Sequence, residues 1–359
     1  MDVRSYLKDY AARADRFLDK FFDKKIKEVK QIGGSGRGVR IAVDMLERYR
    51  RFSRGGKKLR GALIQLGYEI AGGNKTDVLP ASISLEIIHS FLLMHDDIMD
   101  MDPIRRGAPT IHKQFEQIHR RLGHKSDSYH FGISMGIDMG DLGAYLANEA
   151  LLGAKIEDSR KIRAAVYLSR LLQRVAFGQA LDVLYEQRQN ISESDVMEVH
   201  LQKTSIYTIG GPIKIGALLG GMRPKNIDAI EKYGEPVGIA FQLRDDELGL
   251  FSDEKTLGKP IGNDIREGKN TILRIKAIQN AAGAEKKFLV GAYGNKSINK
   301  KDVKKVQGLT IKTGALGYSR ELSKKLVEGG KKYIPQITKR SNFQDMLIKA
   351  ADYVITRES

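Results

Sequence analysis

Apolar residues recur along almost the whole 359-residue chain at three- and four-residue spacing. No stretch alternates apolar and polar positions long enough to make a persistent strand, and no fixed solenoid period appears. The pattern predicts an all-α chain. Residues 1–31 read as an amphipathic helix, and GGSGRG at 33–38 as a flexible connection. Those glycines do not make a phosphate loop, because no Lys-Ser or Lys-Thr pair follows and no strand precedes. Helical spacing resumes over 39–52, stops at the basic turn RGGKKLR (54–60), and returns over 61–71. Further helices are expected at 111–122, 131–152, 160–188 and 224–251, and through the final third from 272. Ser192 and Asp195 have the spacing of a capping box, and Gly210-Gly211-Pro212 is expected to break or kink the helix that follows it.

One helix departs from the amphipathic norm. Leu85 to Arg106, LEIIHSFLLMHDDIMDMDPIRR, is apolar until it presents Asp96, Asp97 and Asp100 and then two arginines. Pro80 suits its first turn, and Pro103 disfavours its continuation. At about 100° per residue, His89, Leu92, Asp96 and Asp100 share a face and Asp97 sits to one side. Carboxylates this crowded raise each other's pKa unless they share a cation. A hard divalent ion with a preference for oxygen, Mg²⁺ before Zn²⁺, suits them. A solvated acidic helix end is the bland alternative, and the apolar approach and following arginines weigh against it.

Asp245 and Asp246 form a second acidic pair on an apolar helix, with Gln242 a turn earlier. Lys57, Arg60, Arg105, Arg106, Lys203, Lys259 and Lys269 lie in Gly-rich or helix-end contexts. Carboxylates that hold Mg²⁺, with lysine and arginine nearby, suit a diphosphate. His119, His124 and His130 lack a metal-ligand spacing and read as loop histidines.

Composition narrows this picture. Lys and Arg number 61 against 44 Asp and Glu, a net charge of +17, which favours an anionic partner. There is no Cys, which excludes a disulfide framework, a thiolate metal site and a cysteine nucleophile. Aromatics are sparse, and no basic-aromatic interleaving points to nucleic acid. No apolar run reaches transmembrane length, although the basic surface leaves room for peripheral membrane contact. The absence of Cys fits a reducing cytosol, and a cytoplasmic location is expected.

The ordered motifs resemble the trans-isoprenyl diphosphate synthases, or polyprenyl synthetases. They are GGKKLR (55–60), EIIH (86–89), DDIMD (96–100), RRG (105–107), Gln179 with Asp182, Lys203-Thr204, FQLRDD (241–246), Gly258-Lys259 and DIREGKNT (264–271). The resemblance covers nearly the whole chain. It implies one large helical bundle over 1–359 with a central active-site cavity, residues 1–38 forming the N-terminal helix and connection and 39–359 the catalytic bundle. By resemblance, Lys57, Arg60, His89 and Arg106 bind the diphosphate of isopentenyl diphosphate. Arg105, Lys203, Thr204, Gln242, Lys259 and Lys269 bind the allylic diphosphate. Asp96, Asp100 and Asp245 bind Mg²⁺, with Asp97 in support. The departure is Gly249, where many members carry a third Asp.

The implied reaction is a trans head-to-tail condensation of isopentenyl diphosphate with dimethylallyl, geranyl or farnesyl diphosphate, releasing diphosphate. The family's chain-length rule points to Phe91, with Leu92 beside it, and implies geranylgeranyl diphosphate. Helical projection puts Phe91 about 140° from Asp96, so the rule is taken from the resemblance and not from the wheel. Farnesyl diphosphate or a longer polyprenyl diphosphate are the alternatives. The family also implies a homodimer. A terpene cyclase would lack the site made by Lys57, Arg60 and Arg106, and a non-catalytic partner subunit would lose an Asp motif that this chain keeps.

Overall fold

A computed structural model describes residues 2–34, 36–123, 125–188, 190–252 and 262–358. The described residues are overwhelmingly helical, as the apolar spacing predicts. They fall into two compact units, Asp2–Ala165 with Ile215–Gly221, and Val166–Lys214 with Met222–Ser359.

The first unit begins with α1 (Val3–Gly33), capped by Asp2, whose carboxylate accepts from the Ser5 amide at 2.9 Å. Its buried residues, Val3, Leu7, Tyr10, Ala14, Leu18, Phe22 and Ile26, step by three or four and form one stripe. α2 (Arg37–Ser53) and α3 (Leu59–Ile70) follow, and then α4 (Leu79–Met99), with Pro80 in its first turn. From Ala81 to Ile88 every residue of α4 is buried, polar ones included. Burial on all sides leaves polar groups in need of partners. Glu86 accepts from the Gly61 amide at 2.7 Å, and the α4 carbonyl of Ile87 accepts from the Tyr49 hydroxyl at 2.8 Å.

After α4 the expected polar loop closes as a small hairpin of β1 (Ile104–Arg105) and β2 (Ala108–Pro109), with Arg105 opposite Ala108. The two linking residues, Arg106 and Gly107, both have positive φ, at 53° and 75°. That is the backbone of a two-residue turn whose twist matches its strands. Glycine takes this conformation freely, whereas Arg106 takes it at a cost of about 1–2 kcal/mol. α5 (Ile111–Arg121) and α6 (Ser128–Leu152) complete this unit. α6 starts three residues earlier than the expected 131, because the Asp127 carboxylate caps it by accepting from the Tyr129 amide at 2.8 Å. Gly136 and Gly140 of α6 leave room for the Ile98 and His95 side chains of α4, which a methyl group at either position would overlap.

α7 (Asp158–Glu186) and α9 (Gly211–Leu219) contribute residues to both units. The second unit also holds α8 (Glu193–Val199), opened by the predicted Ser192–Asp195 capping box. The chain then runs on without a break. Residues His200–Gly210 form a π-helix that passes into α9, so of the expected break or kink at Gly210-Gly211-Pro212 the break does not occur. Pro212 has no amide proton, and its ring would press on the carbonyl four residues back in an α-helix. A wider turn relieves that conflict, and the Gly211 amide reaches the Ile206 carbonyl, five residues earlier.

α10 (Pro224–Phe251) packs against this π-helix. The crossing is close: a methyl at Gly234 would overlap Gly210, and one at Gly238 would overlap Ser205. The chain continues through α11 (Asn263–Glu267), inside the stretch expected to be loop, α12 (Ile272–Asn280), α13 (Gly283–Ala292) and α14 (Lys300–Lys312). It ends with α15 (Ala315–Lys331), α16 (Ile334–Ile337) and α17 (Ser341–Thr356). Leu250, Ile265, Leu273, Leu289, Val303 and Val306 form a common core for this part. Among the described residues, no helix is long and apolar enough to cross a membrane. Gly234→Ala is expected to force α10 away from the π-helix and lower the unfolding free energy by about 1–3 kcal/mol, read as a lower urea midpoint.

Candidate active site

In the first unit the predicted residues gather around the end of α4. His89, Asp96 and Asp97 lie on the helix and Asp100 immediately follows it. The Asp100 amide donates to the Asp96 carbonyl at 2.8 Å, so the two carboxylates stand one turn apart. Asp97 has a different environment. It is fully buried, and its carboxylate accepts from Nε of Arg105. Arg105 Nη2 also lies 3.7 Å from Asp96 and 3.5 Å from Asp102. Burial works against the charge on Arg105, but Asp97, Asp96 and Asp102 more than offset it and hold its pKa above the ordinary value.

Arg106, on the hairpin turn, donates to the carbonyls of Phe52 and Arg54, both at 3.3 Å. Arg60 is in the first turn of α3, and Lys57 is exposed on the basic turn before it. Lys58, which the motif did not single out, is buried in a left-handed backbone conformation with φ of 49°. Its ammonium donates to the Ser53 carbonyl and sits 3.4 Å from Asp15. His89 reports the sum of these cations. Burial, and then the positive charges of Arg60, Arg106, Arg105 and Lys58, push its imidazole well below its usual pKa. Four cations that act on one histidine favour an anion in this corner of the unit.

The second unit carries another set. Lys203 and Thr204 lie on the π-helix, and Gln242 and Asp245 on α10. The Lys203 ammonium is 2.6 Å from Asp182 of α7, and Lys269 is 2.7 Å from Glu186 and 3.8 Å from Asp182. Gln242 donates to one oxygen of Asp246 at 2.8 Å, and His200 Nε2 is 3.3 Å from the other. Asp246 and His200 are both buried, so Asp246 is a held group, while the Asp245 side chain is substantially exposed. Arg357, beyond the last helix, donates to Asp245 and to the Phe241 carbonyl and lies 3.9 Å from the centre of the Phe241 ring. A Cβ at Gly249 would meet the Asp264 carboxylate at 2.4 Å, a contact that rotation of the Asp264 side chain relieves. Lys259 lies outside the described residues.

The motifs therefore located the residues but not their present partners. His200, Glu186, Lys58, Asp102 and Arg357 were missed, and little in the sequence marks them. Arg357 is 112 positions from Asp245, and Lys58 sits beside another lysine in the same motif. Among the described residues, no three or more His, Asp or Glu side chains gather to cage a metal. The acidic helix end instead offers two hard carboxylates one turn apart. Mg²⁺ suits such a site, because it usually takes one or two carboxylates and completes its shell with water and phosphate oxygens.

A family model for polyprenyl synthetases matches residues 44–310. The chain belongs to the polyprenyl synthetase family. It is an enzyme of the short-chain isoprenyl diphosphate synthase group, a trans-prenyltransferase. It is 32% identical over 346 residues to geranylgeranyl diphosphate synthase of Sulfolobus acidocaldarius, covering 95% of this chain and 99% of that one. It is 31% identical over 317 residues to geranylfarnesyl diphosphate synthase of Aeropyrum pernix, covering 84% and 91%. Among solved structures, geranylgeranyl pyrophosphate synthase from Corynebacterium glutamicum, complexed with isoprenyl diphosphate and magnesium, matches with a TM-score of 0.89 and 32% identity. That match covers 99% of this chain and 100% of the other, and it places the all-helical fold of this polyprenyl synthetase with the isoprenyl synthases.

The adjacent aspartates of this synthetase should separate by stability. Asp97→Ala leaves the Arg105 charge buried and is expected to cost about 3–5 kcal/mol, whereas Asp96→Ala should cost less than about 1 kcal/mol, both read by denaturant titration. His89 should stay neutral to a lower pH than a free imidazole, visible in its imidazole ¹⁵N shifts. Its folded pKa lies below the usual 6.5, so the stability it contributes is present above 6.5 and is lost as pH falls towards the folded value. His89→Gln should therefore flatten that acid limb.

Proposed function

We propose that this enzyme joins isopentenyl diphosphate to an allylic diphosphate in trans, with geranylgeranyl diphosphate as its main product. The observation that carries the reading is the set of cations Arg60, Arg105, Arg106 and Lys58 whose charges act on His89, beside the paired carboxylates of α4. A diphosphate is the anion that needs both. On this reading Lys57, Arg60, His89 and Arg106 hold isopentenyl diphosphate. Arg105, Lys203, Thr204, Gln242, Lys259 and Lys269 serve the allylic diphosphate.

Asp96 and Asp100 are the carboxylates that would hold Mg²⁺, with Asp97 acting through Arg105, and Asp245 would hold a further Mg²⁺. When bound, Mg²⁺ supplies positive charge to the diphosphate oxygens. Lys203 and Lys269 stabilise the negative charge that grows as the allylic C1–O bond breaks and its electron pair leaves with the diphosphate. The isopentenyl double bond supplies the electron pair for the new carbon–carbon bond. The resulting cation then loses a proton from C2, and the departed diphosphate is the base available to take it. The apolar body of α4 excludes water that would otherwise capture the cation.

Phe91 supports a C20 limit. Its ring meets His95 edge-on at 5.3 Å, and His95 Nε2 lies 3.1 Å from the Ile137 carbonyl of α6. Phe91 is thus braced on the side of α4 that faces α6, where it would block a growing chain. One helical turn rises about 5.4 Å, close to one isoprene unit, so removing the ring should admit about one unit more. The exposed Ile137, Tyr145 and Leu152 of α6 support a homodimer, since exposed apolar surface of this kind suits a second copy.

Purified enzyme given isopentenyl and farnesyl diphosphates should release diphosphate only with Mg²⁺ present. The product should be C20 by mass spectrometry, and Phe91→Ala should move it towards C25 or longer. An unchanged product distribution would remove Phe91 from the length determinants. Asp96→Ala should lower turnover by about 100-fold or more.

A further inference from the structure

Much of the positive charge lies away from the two sets of site residues. Between Gly283 and Lys312 stand eight lysines against two acids, Glu285 and Asp302, and all eight lysines are exposed. Their arrangement is ordered. On α14, Val303, Val306, Leu309 and Thr310 face the core. By helical projection, Lys300, Lys301, Lys304, Lys305, Ile311 and Lys312 fall within an arc of about 140° on the other side. α13 repeats the pattern on a smaller scale, with Lys286, Lys287 and Val290 on one side and Leu289 and Ala292 buried on the other.

Two contacts join the helices into one antiparallel pair. Lys312 is 2.6 Å from Glu285, and the Lys305 ammonium lies 4.0 Å from the centre of the Phe288 ring. The charged arcs are therefore neighbours. Each includes one large apolar side chain in the open: Val290 is 55% exposed and Ile311 57%. The short linker between the helices adds Lys296.

We propose that the α13–α14 pair is a docking face for an anionic lipid bilayer. A dense cluster of exposed lysines is drawn to the negative surface potential of an anionic membrane, and the two exposed aliphatic side chains add a small apolar contact. Each lysine near such a surface contributes favourably, and long lysine stems let the ammonium groups reach the headgroups while Val290 and Ile311 enter the acyl boundary. Duplex nucleic acid fits less well. The exposed Val290 and Ile311 would gain nothing on a phosphate backbone. The inference does not depend on the length of the product. A membrane site would give any amphiphilic isoprenyl product a short route out of water.

Co-sedimentation of the full chain with large vesicles tests the proposal. The protein should bind vesicles of equal parts phosphatidylcholine and phosphatidylglycerol, and should not bind phosphatidylcholine alone. Binding should weaken as salt rises. The triple variant Lys301→Glu, Lys304→Glu, Lys305→Glu should bind the anionic vesicles about 100-fold or more weakly, while soluble turnover and helical circular dichroism stay unchanged. Ile311→Ser should weaken binding with no change in charge. Vesicle binding by the triple variant equal to that of the parent chain would overturn the proposal. So would equal binding to neutral vesicles, or tighter binding to duplex DNA than to anionic vesicles.

Discussion

A buried carboxylate keeps its charge only beside a cation, and Asp97 meets that requirement through Arg105. Removing such a charge from water costs several kcal/mol, so the chain after α4 is not free to wander. Arg105 reaches Asp97 because residues 104–109 fold back as a hairpin. The tight turn in turn holds Arg106 in a left-handed conformation that its side chain disfavours. There the Arg106 guanidinium engages the Phe52 and Arg54 carbonyls and adds to the field that keeps His89 neutral. One ion pair thus links the interior of α4, the shape of the loop and the electrostatics of the anion site.

The same pair divides the work of neighbouring aspartates. Asp96 and Asp100 are only partly buried and stand one turn apart, whereas Asp97 is committed to Arg105. The second unit repeats this division. Asp245 is substantially exposed, and Asp246 is held between Gln242 and His200. In each pair one carboxylate faces outward and the other fixes local structure. That is how two adjacent charges of the same sign can be placed on a mostly apolar helix.

Helix type and order were legible because apolar spacing and caps are local properties. The long α1 stripe, the Pro80 start of α4 and the Ser192–Asp195 box each follow from residues a few positions apart. The site was legible as a set of residues for a similar reason, since paired carboxylates and Gly-rich basic turns carry their chemistry within a short stretch. The π-helix was not legible. It arises from a conflict between Pro212 and the helix before it, which no local periodicity records.

The sequence by itself determined the all-helical class, the positions of the acidic and basic motifs and the excess of positive charge. It did so because each depends on composition or on neighbours within a turn or two. Tertiary structure alone decided which aspartate is buried, that Arg105 belongs to Asp97, that Arg357 closes on Asp245 and that Gly249 leaves room for Asp264. Those outcomes depend on desolvation and on close approach between groups distant along the chain. Neither quantity exists until the helices have packed.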